Sequence, residues 1–114
     1  MTIRSIYAHL DCSSLQTSTA WFEKFFARAP DANPMKGLVE WHQGESAGLQ
    51  LFENSNDAGR GTLTLIVDAL REEQARLEAA GLKPGAVEAA DTTSVVRLRD
   101  PDGNLVVLAQ PGRA

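Results

Sequence analysis

The chain has 114 residues, of which 43% are hydrophobic and 23% are charged, and its formal net charge is −4. This length supports one compact folding unit and not two independent cores. The negative charge, the lack of clustered Lys and Arg and the lack of a long apolar run exclude nucleic acid and membrane as expected partners.

Location and redox chemistry follow from the same composition. The first residues lack the apolar segment of a secretory signal, so we expect a cytoplasmic protein. Cys12 is the only cysteine and therefore cannot form an intrachain disulfide. It stands at an apolar position of a strand-like run, which predicts a small buried side chain and not a reactive thiol.

The first half of the chain predicts a strand, a helix and a hairpin. Residues 3–12 alternate so that Leu10 and Cys12 share one side, while Tyr7 and His9 share the other. An amphipathic helix over residues 15–27 follows, with Ser13 and Ser14 as candidate caps, an aromatic stripe, and a stop at residues 29–31. Residues 39–43 and 47–53 flank a Gly-Glu-Ser turn and predict a hairpin, and a polar linker covers residues 53–61.

The second half has the same order of elements. A strand over residues 63–67 leads into an amphipathic helix that stops at Gly81. Asp100-Pro101-Asp102-Gly103 has the residue preferences of a type I turn, and β-rich runs at 94–98 and 105–109 flank it. We expect Arg99 to be structural and to pair with Asp100 or Asp102.

An internal repeat relates the two halves at a shift of about 55 residues. A strand–helix–hairpin unit used twice lets each sheet curl toward its twin, with a cup between them. The matched positions are Leu10 and Leu65, Cys12 and Val67, Leu15 and Leu70, and Phe22 and Leu77.

This repeat, together with Arg-Asp-Pro-Asp-Gly-Asn at residues 99–104 and a terminal strand, resembles the vicinal oxygen chelate superfamily. That superfamily includes glyoxalase I, bleomycin-resistance proteins and extradiol dioxygenases, and the resemblance covers residues 3–110. It implies an α+β fold: one domain over residues 1–114, built from two βαβββ modules at about 1–56 and 57–114. The modules would form a curved mixed sheet with helices outside and a concave ligand cup inside.

The resemblance also implies where a metal would be held. Metal-dependent relatives use His or Gln in each module's first strand and Glu in each module's last strand. Counting from the helix junctions and the hairpins gives Tyr7, Thr62, Gln50 and Val107 at these positions. Only Gln50 is a common ligand, because a divalent ion takes oxygen or imidazole donors. We therefore expect no metal and no cofactor, and the sequence identifies no catalytic residue.

Ligand-binding candidates are the residues expected to line the cup. Phe52 and Trp41 are equally compatible with core packing, and His9 could be a cup contact, a structural histidine or a relocated ligand. Asp11 and Leu105 are further cup positions. The predicted ligand-binding residues are Tyr7, His9, Trp41, Gln50, Phe52, Thr62, Thr64 and Val107.

Two functions are compatible with this set. The first is a metal-free protein of the bleomycin-resistance type that sequesters a small, partly aromatic ligand. The alternative is a metal-dependent lyase, isomerase or dioxygenase with unusual ligands such as His9, Gln50 and His42. The resemblance further implies a homodimer, and unprotected sheet edges with few lysines favour the same assembly.

Overall fold

The computed structural model describes residues 1–112 and contains eight strands and two helices in this part of the chain. In chain order the elements are β1 (Ile6–Cys12), α1 (Leu15–Phe26), β2 (Ala32–Met35), β3 (Leu38–Gln43), β4 (Ala47–Glu53), β5 (Thr62–Ile66), α2 (Leu70–Ala79), β6 (Glu88–Ala89), β7 (Thr93–Arg99) and β8 (Leu105–Pro111). Neither helix has the length and apolarity needed to cross a bilayer.

The strands form two mixed sheets with the same strand order. The first sheet is ordered β1-β4-β3-β2 and the second β5-β8-β7-β6. The strands that come first and last along the chain in each sheet, β1 with β4 and β5 with β8, pair in parallel. The other neighbouring strands pair antiparallel. Each sheet with its helix is one βαβββ module, which confirms the predicted α+β class and the repeat.

Strands β2 and β6 lacked a sequence signal, because β2 contains Asn33 and Pro34 and β6 has only two residues. Both are edge strands, where a proline or a very short ladder is tolerated. Helix α1 ends at Phe26, one residue before the predicted end, and its C-cap Ala27 has a φ of 57°, in the left-handed region that closes helices.

Each helix buries one apolar stripe against its own sheet. Phe22 and Phe25 of α1 are at most 3% exposed and pack with Leu10 and Leu51. Leu70 and Leu77 of α2 lie in the same cluster of buried residues. Leu10 and Cys12 face the helix as predicted, which leaves Tyr7 and His9 on the opposite face of the sheet.

The Asp-Pro-Asp-Gly-Asn turn joins the two modules. Gly103 N–H donates to the carbonyl oxygen of Asp100 over 3.0 Å, which closes the predicted turn. The fully buried Asn104 side chain then donates to the carbonyl oxygen of Asp11 and accepts from Gly61 N–H. Asp102 accepts from the main-chain N–H and the hydroxyl of Ser13, at the start of α1.

A second connection lies at the other end of α1. The Arg76 guanidinium, on α2, donates to the carbonyl oxygens of Lys24 and Phe25. Carbonyl groups in the last turn of a helix lack partners within the helix, so this arginine satisfies two of them. Arg99 differs from the prediction: its guanidinium donates to the carbonyl oxygen of Gly103 and not to Asp100 or Asp102.

Candidate functional site

We call the side of each sheet that lies opposite its helix the cup face. Strands β1, β4 and β3 bring the most polar part of this surface together in the first module. The register pairs His9 with Gln50 and Gln50 with Glu40. Side chains on paired positions share a face, so these three residues form one row across the sheet.

Hydrogen bonds join the three residues of this row to one another and to two further side chains, His42 and Asp11. The Gln50 amide nitrogen donates to Glu40 Oε2 over 2.8 Å, and His42 Nε2 donates to Glu40 Oε1 over 3.0 Å. His9 Nε2 donates to Asp11 Oδ1 over 2.8 Å, and His9 Nδ1 lies 3.3 Å from Gln50 Oε1. Five side chains therefore hold one another in fixed positions on the cup face.

Glu40 orients the network. A carboxylate only accepts hydrogen bonds, so it fixes the Gln50 amide with its nitrogen toward Glu40 and its oxygen toward His9. Donation by Gln50 and His42 lowers the pKa of the Glu40 carboxyl below its ordinary value. The His9 ring lies between two oxygen atoms, Asp11 Oδ1 and Gln50 Oε1.

Aromatic rings flank the network on both sides. The Phe52 ring lies 6.1 Å from the His9 ring, centroid to centroid. The Tyr7 ring packs edge-on against the His42 ring, with 5.8 Å between the ring centroids. It also lies over Gly48, where a Cβ atom would come within 2.7 Å of the Tyr7 ring. The first module thus presents fixed polar groups between two aromatic rings, an arrangement typical of small-molecule sites.

The cup face of the second module has a different character. Thr62 pairs with Leu105 and Thr64 pairs with Val107, so its first and last strands present hydroxyl and aliphatic groups. Both threonines are exposed. Arg97 follows on the next strand, paired with Val107, and forms an ion pair with Glu88 over 3.3 Å.

The register gives the neighbours of the four positions that the resemblance implies for a metal. Gln50 lies beside His9, and Tyr7 pairs with Gly48. Val107 lies beside Thr64, and Thr62 pairs with Leu105.

Trp41 lies away from the cup, contrary to its place among the predicted ligand-binding residues. It faces α1, is 2% exposed, and packs against Phe22 and Phe26 at 5.9 and 5.4 Å. Its indole N–H donates to the carbonyl oxygen of Arg28 over 3.1 Å. The core-packing alternative that the sequence left open is therefore correct for Trp41.

Sequence reasoning missed Glu40, although the predicted hairpin contained the signal. The three-residue turn pairs Gln43 with Ala47, and continuing this antiparallel register brings Glu40 opposite Gln50. His42 has the same alternation phase as Glu40, so it belongs to the cup face as well.

The side chains present do not fit the divalent ion held by metal-dependent relatives. The imidazole and carboxylate groups of the hydrogen-bond network, which are the candidate metal ligands, all come from the first module. They already form hydrogen bonds within the network. The paired positions of the second module offer Thr64 and Val107. Within residues 1–112, no three His, Cys, Asp or Glu side chains form a group suited to a metal ion.

Solved structures with the same architecture are numerous. A glyoxalase/bleomycin resistance protein from Catenulispora acidiphila is 22% identical with a TM-score of 0.85, over 94% of this chain and 97% of that one. A lactoylglutathione lyase from Agrobacterium tumefaciens is 20% identical with a TM-score of 0.77, covering 92% and 91%. An antibiotic-binding protein from a Streptomyces species is 18% identical with a TM-score of 0.79, covering 98% and 97%.

These similarities establish the fold, as the resemblance in the sequence implied. No protein-family profile matches the sequence, and no curated protein matches it. Because the structural neighbours include both a lyase and an antibiotic-binding protein, the fold does not by itself choose between catalysis and binding.

Proposed function

We propose that this chain, which has the fold of the glyoxalase and bleomycin-resistance proteins, binds a small, partly aromatic molecule on its cup face without a metal ion. The observation that carries the proposal is the fixed row of His9, Gln50 and Glu40 beside the Phe52 ring. Polar groups held by one another lose little freedom when a ligand arrives, which favours binding.

The aromatic rings suggest the chemistry of the ligand. Phe52 and Tyr7 offer flat apolar surfaces on either side of the network, so a planar ring could stack there. His9 and His42 are 44% and 38% exposed at their side chains, so a ligand could reach both imidazole groups. A molecule with one planar ring and one hydrogen-bonding substituent would match this surface.

The metal-dependent alternative is less well supported by the donor set. An enzyme of that kind needs donors from both modules around open coordination positions, whereas the second module contributes threonine and valine. His9 and His42 both come from the first module, and Asp11 and Glu40 hold their Nε2 atoms.

Calorimetric titration tests the binding proposal. The probes are bleomycin, because a structural neighbour carries that name, and a panel of planar aromatic compounds based on naphthalene and quinoline. We expect at least one probe to bind with one site per cup, and Phe52→Ala or Gln50→Ala to weaken it by about tenfold or more, corresponding to about 1.4 kcal/mol.

Lys36→Ala is the matched control, since Lys36 is exposed in the turn before β3. It should leave the affinity unchanged. If no probe binds and Phe52→Ala merely lowers the melting temperature, Phe52 is a packing residue and the binding proposal fails.

Metal analysis separates the two functions. A bound ion at a hundred times its dissociation constant adds about 2.7 kcal/mol of stability, or a shift of roughly 10 °C for a domain of this size. We expect EDTA and added Mn²⁺, Fe²⁺, Ni²⁺ or Zn²⁺ to leave the melting temperature unchanged. Purification with tightly held, near-stoichiometric metal would favour the enzyme instead.

A further inference from the structure

A cleft separates the two modules, mostly on the helix-covered side but bordered by Thr64 and Ile66 of the cup face. It lies between the edges of β1 and β5 and beneath α1 and α2, and it encloses about 530 Å³. Small-molecule pockets commonly have volumes of about 300–1,000 Å³. The cleft therefore has the size of a ligand site, and its lining includes neither a residue of the hydrogen-bond network nor Phe52.

The arrangement of the modules explains why the cleft is open. Strands β1 and β5 belong to different sheets, so no ladder joins their edges. Asn104 connects the end of β1 to Gly61 just before β5. The cleft opens at the other end, between the start of β1 at Ile6 and the end of β5 at Ile66.

The floor of the cleft is apolar and deep. Trp41, Leu49, Leu63 and Leu108 line it, although each is at most 4% exposed. These four side chains are packed too tightly for a ligand to touch, and they form the base beneath the cleft. The apolar surface that a ligand would contact comes from partly exposed Ala8, Phe26, Leu65 and Val67 and from exposed Ile6 and Ile66.

The polar groups at the rim already have partners. Arg76 donates to Glu73 and to two carbonyl oxygens at the end of α1. Arg28 donates to Asp31 and to the carbonyl oxygen of His42. Because carboxylates and carbonyl groups already occupy these guanidinium groups, the rim does not select a charged ligand.

We propose that this intermodule cleft is a second binding site, for a slender, uncharged and mainly apolar molecule. The alternative occupant, a second copy of the chain, finds little surface there. Of the large apolar residues that line the cleft, Ile6 and Ile66 are the strongly exposed ones, at 74% and 68%. A stable protein interface buries about 800 Å² on each partner, which is more surface than two isoleucines provide. A ligand in the cleft would contact both modules and would stabilise their association.

Titration with 1,6-diphenyl-1,3,5-hexatriene tests this site, because this probe is uncharged and rod-shaped, has no hydrogen-bonding group for the cup-face network, and fluoresces in apolar surroundings. We expect saturable binding of one probe per cleft. The double variant Ile6→Asp/Ile66→Asp, called the rim variant, places two charges at the opening of the cleft. It should lower the affinity for the probe by at least about tenfold, because a charge near a buried apolar ligand is costly. Both side chains are exposed, so the variant should keep the wild-type circular dichroism spectrum.

Ile3→Asp is the matched control, since Ile3 is 66% exposed and does not line the cleft. It should bind the probe as the wild type does. Phe52→Ala and Gln50→Ala, on the cup face, should also leave the affinity within about twofold, which keeps this result independent of the cup proposal.

Three results would overturn the inference. Probe fluorescence that does not saturate, or that falls as much in Ile3→Asp as in the rim variant, shows nonspecific binding. Affinity lost in Phe52→Ala and kept in the rim variant places the probe in the cup. The third result is a wild type that self-associates and does not bind the probe, together with a rim variant that is monomeric and does bind it. That result would show that a second copy covers the cleft.

Discussion

The side-chain amide of Asn104 donates a hydrogen bond to the main-chain carbonyl oxygen of Asp11 over 3.0 Å, across 93 positions of sequence. This bond connects the last hairpin of the second module to the first strand of the first. Asn104 also donates to Asp100 Oδ2 over 2.8 Å and accepts from Gly61 N–H over 2.8 Å. One fully buried side chain thus fixes the turn and the orientation of the two sheets together.

Replacing this side chain should destabilise the whole fold. Asn104→Ala removes three hydrogen bonds and leaves Gly61 N–H and the Asp11 carbonyl group without this partner in a buried site. Each unsatisfied buried group costs about 1–3 kcal/mol, so we expect a loss of about 3 kcal/mol and a melting temperature lower by about 10 °C. Urea and thermal unfolding measure both.

Asn56→Ala is the control for this variant, because Asn56 is exposed in the turn after β4. Its free energy of unfolding should change by less than about 0.5 kcal/mol. Similar stability of the two variants would show that Asn104 does not hold the modules together.

The cup-face network should make stability depend on acid. The pKa of Glu40 is lowered in the folded protein, because Gln50 first and His42 second donate hydrogen bonds to its carboxylate. Such a group adds stability above its unfolded pKa, and that stability is lost as the pH falls through the folded pKa. Glu40→Gln should therefore lose less stability than the wild type between neutral pH and about pH 3.

Urea unfolding at a series of pH values provides this comparison. Asp31 also has a lowered pKa, because His42 N–H and the Arg28 guanidinium donate to it, and it is present in both proteins. The difference between the two pH profiles therefore isolates Glu40. Parallel profiles would show that the network contributes nothing to folding.

Cys12 should be inert in the folded protein. Its side chain is fully buried, and desolvation, together with the nearby Asp102 and Glu53 carboxylates, raises the pKa of the thiol from 9.0 to about 11. Only the thiolate reacts with disulfide reagents. Ellman's reagent should modify one thiol per chain in urea and almost none in the native protein.

The raised pKa of Cys12 has a consequence at alkaline pH. The folded state holds the thiol proton more tightly than the unfolded state, so stability should fall as the pH rises from 9.0 toward about 11. Cys12→Ala should remove that part of the dependence. Rapid labelling of native protein at neutral pH would contradict both expectations.

We also propose that the protein is a homodimer. The edge strand β2 contains no charged residue, and Met35 on it is 57% exposed, so side chains of a second chain could pack on this edge even though Pro34 lacks an N–H for a strand ladder. Sedimentation equilibrium should give twice the 12.3 kDa mass of the chain at micromolar concentration. A 12.3 kDa species that persists at high concentration would refute the dimer.

Local sequence patterns determined both helices, six of the eight described strands and the two faces of these elements. Alternation in residues 6–12 separated His9 from Leu10, and the helical spacing of Phe22 and Phe25 identified the buried stripe. The chemistry of Asp100 and Gly103 located the turn. These features depend on neighbours a few residues apart, so the sequence alone carries them.

Tertiary structure decided the site. The network requires that β3, β4 and β1 place Glu40, Gln50 and His9 in one row, and a displacement of one residue would turn the row toward the helix. The sequence left Trp41 ambiguous because β3 is apolar on both faces, with Leu38 and Val39 buried as well. Packing against the rings of α1 resolved it.

The intermodule cleft also depended on tertiary structure alone. Its lining comes from both sheets and both helices, and its opening depends on how far the edges of β1 and β5 separate beyond the link at Asn104. No local pattern encodes that separation, because it results from the packing of two modules that each satisfy their own hydrophobic periodicity.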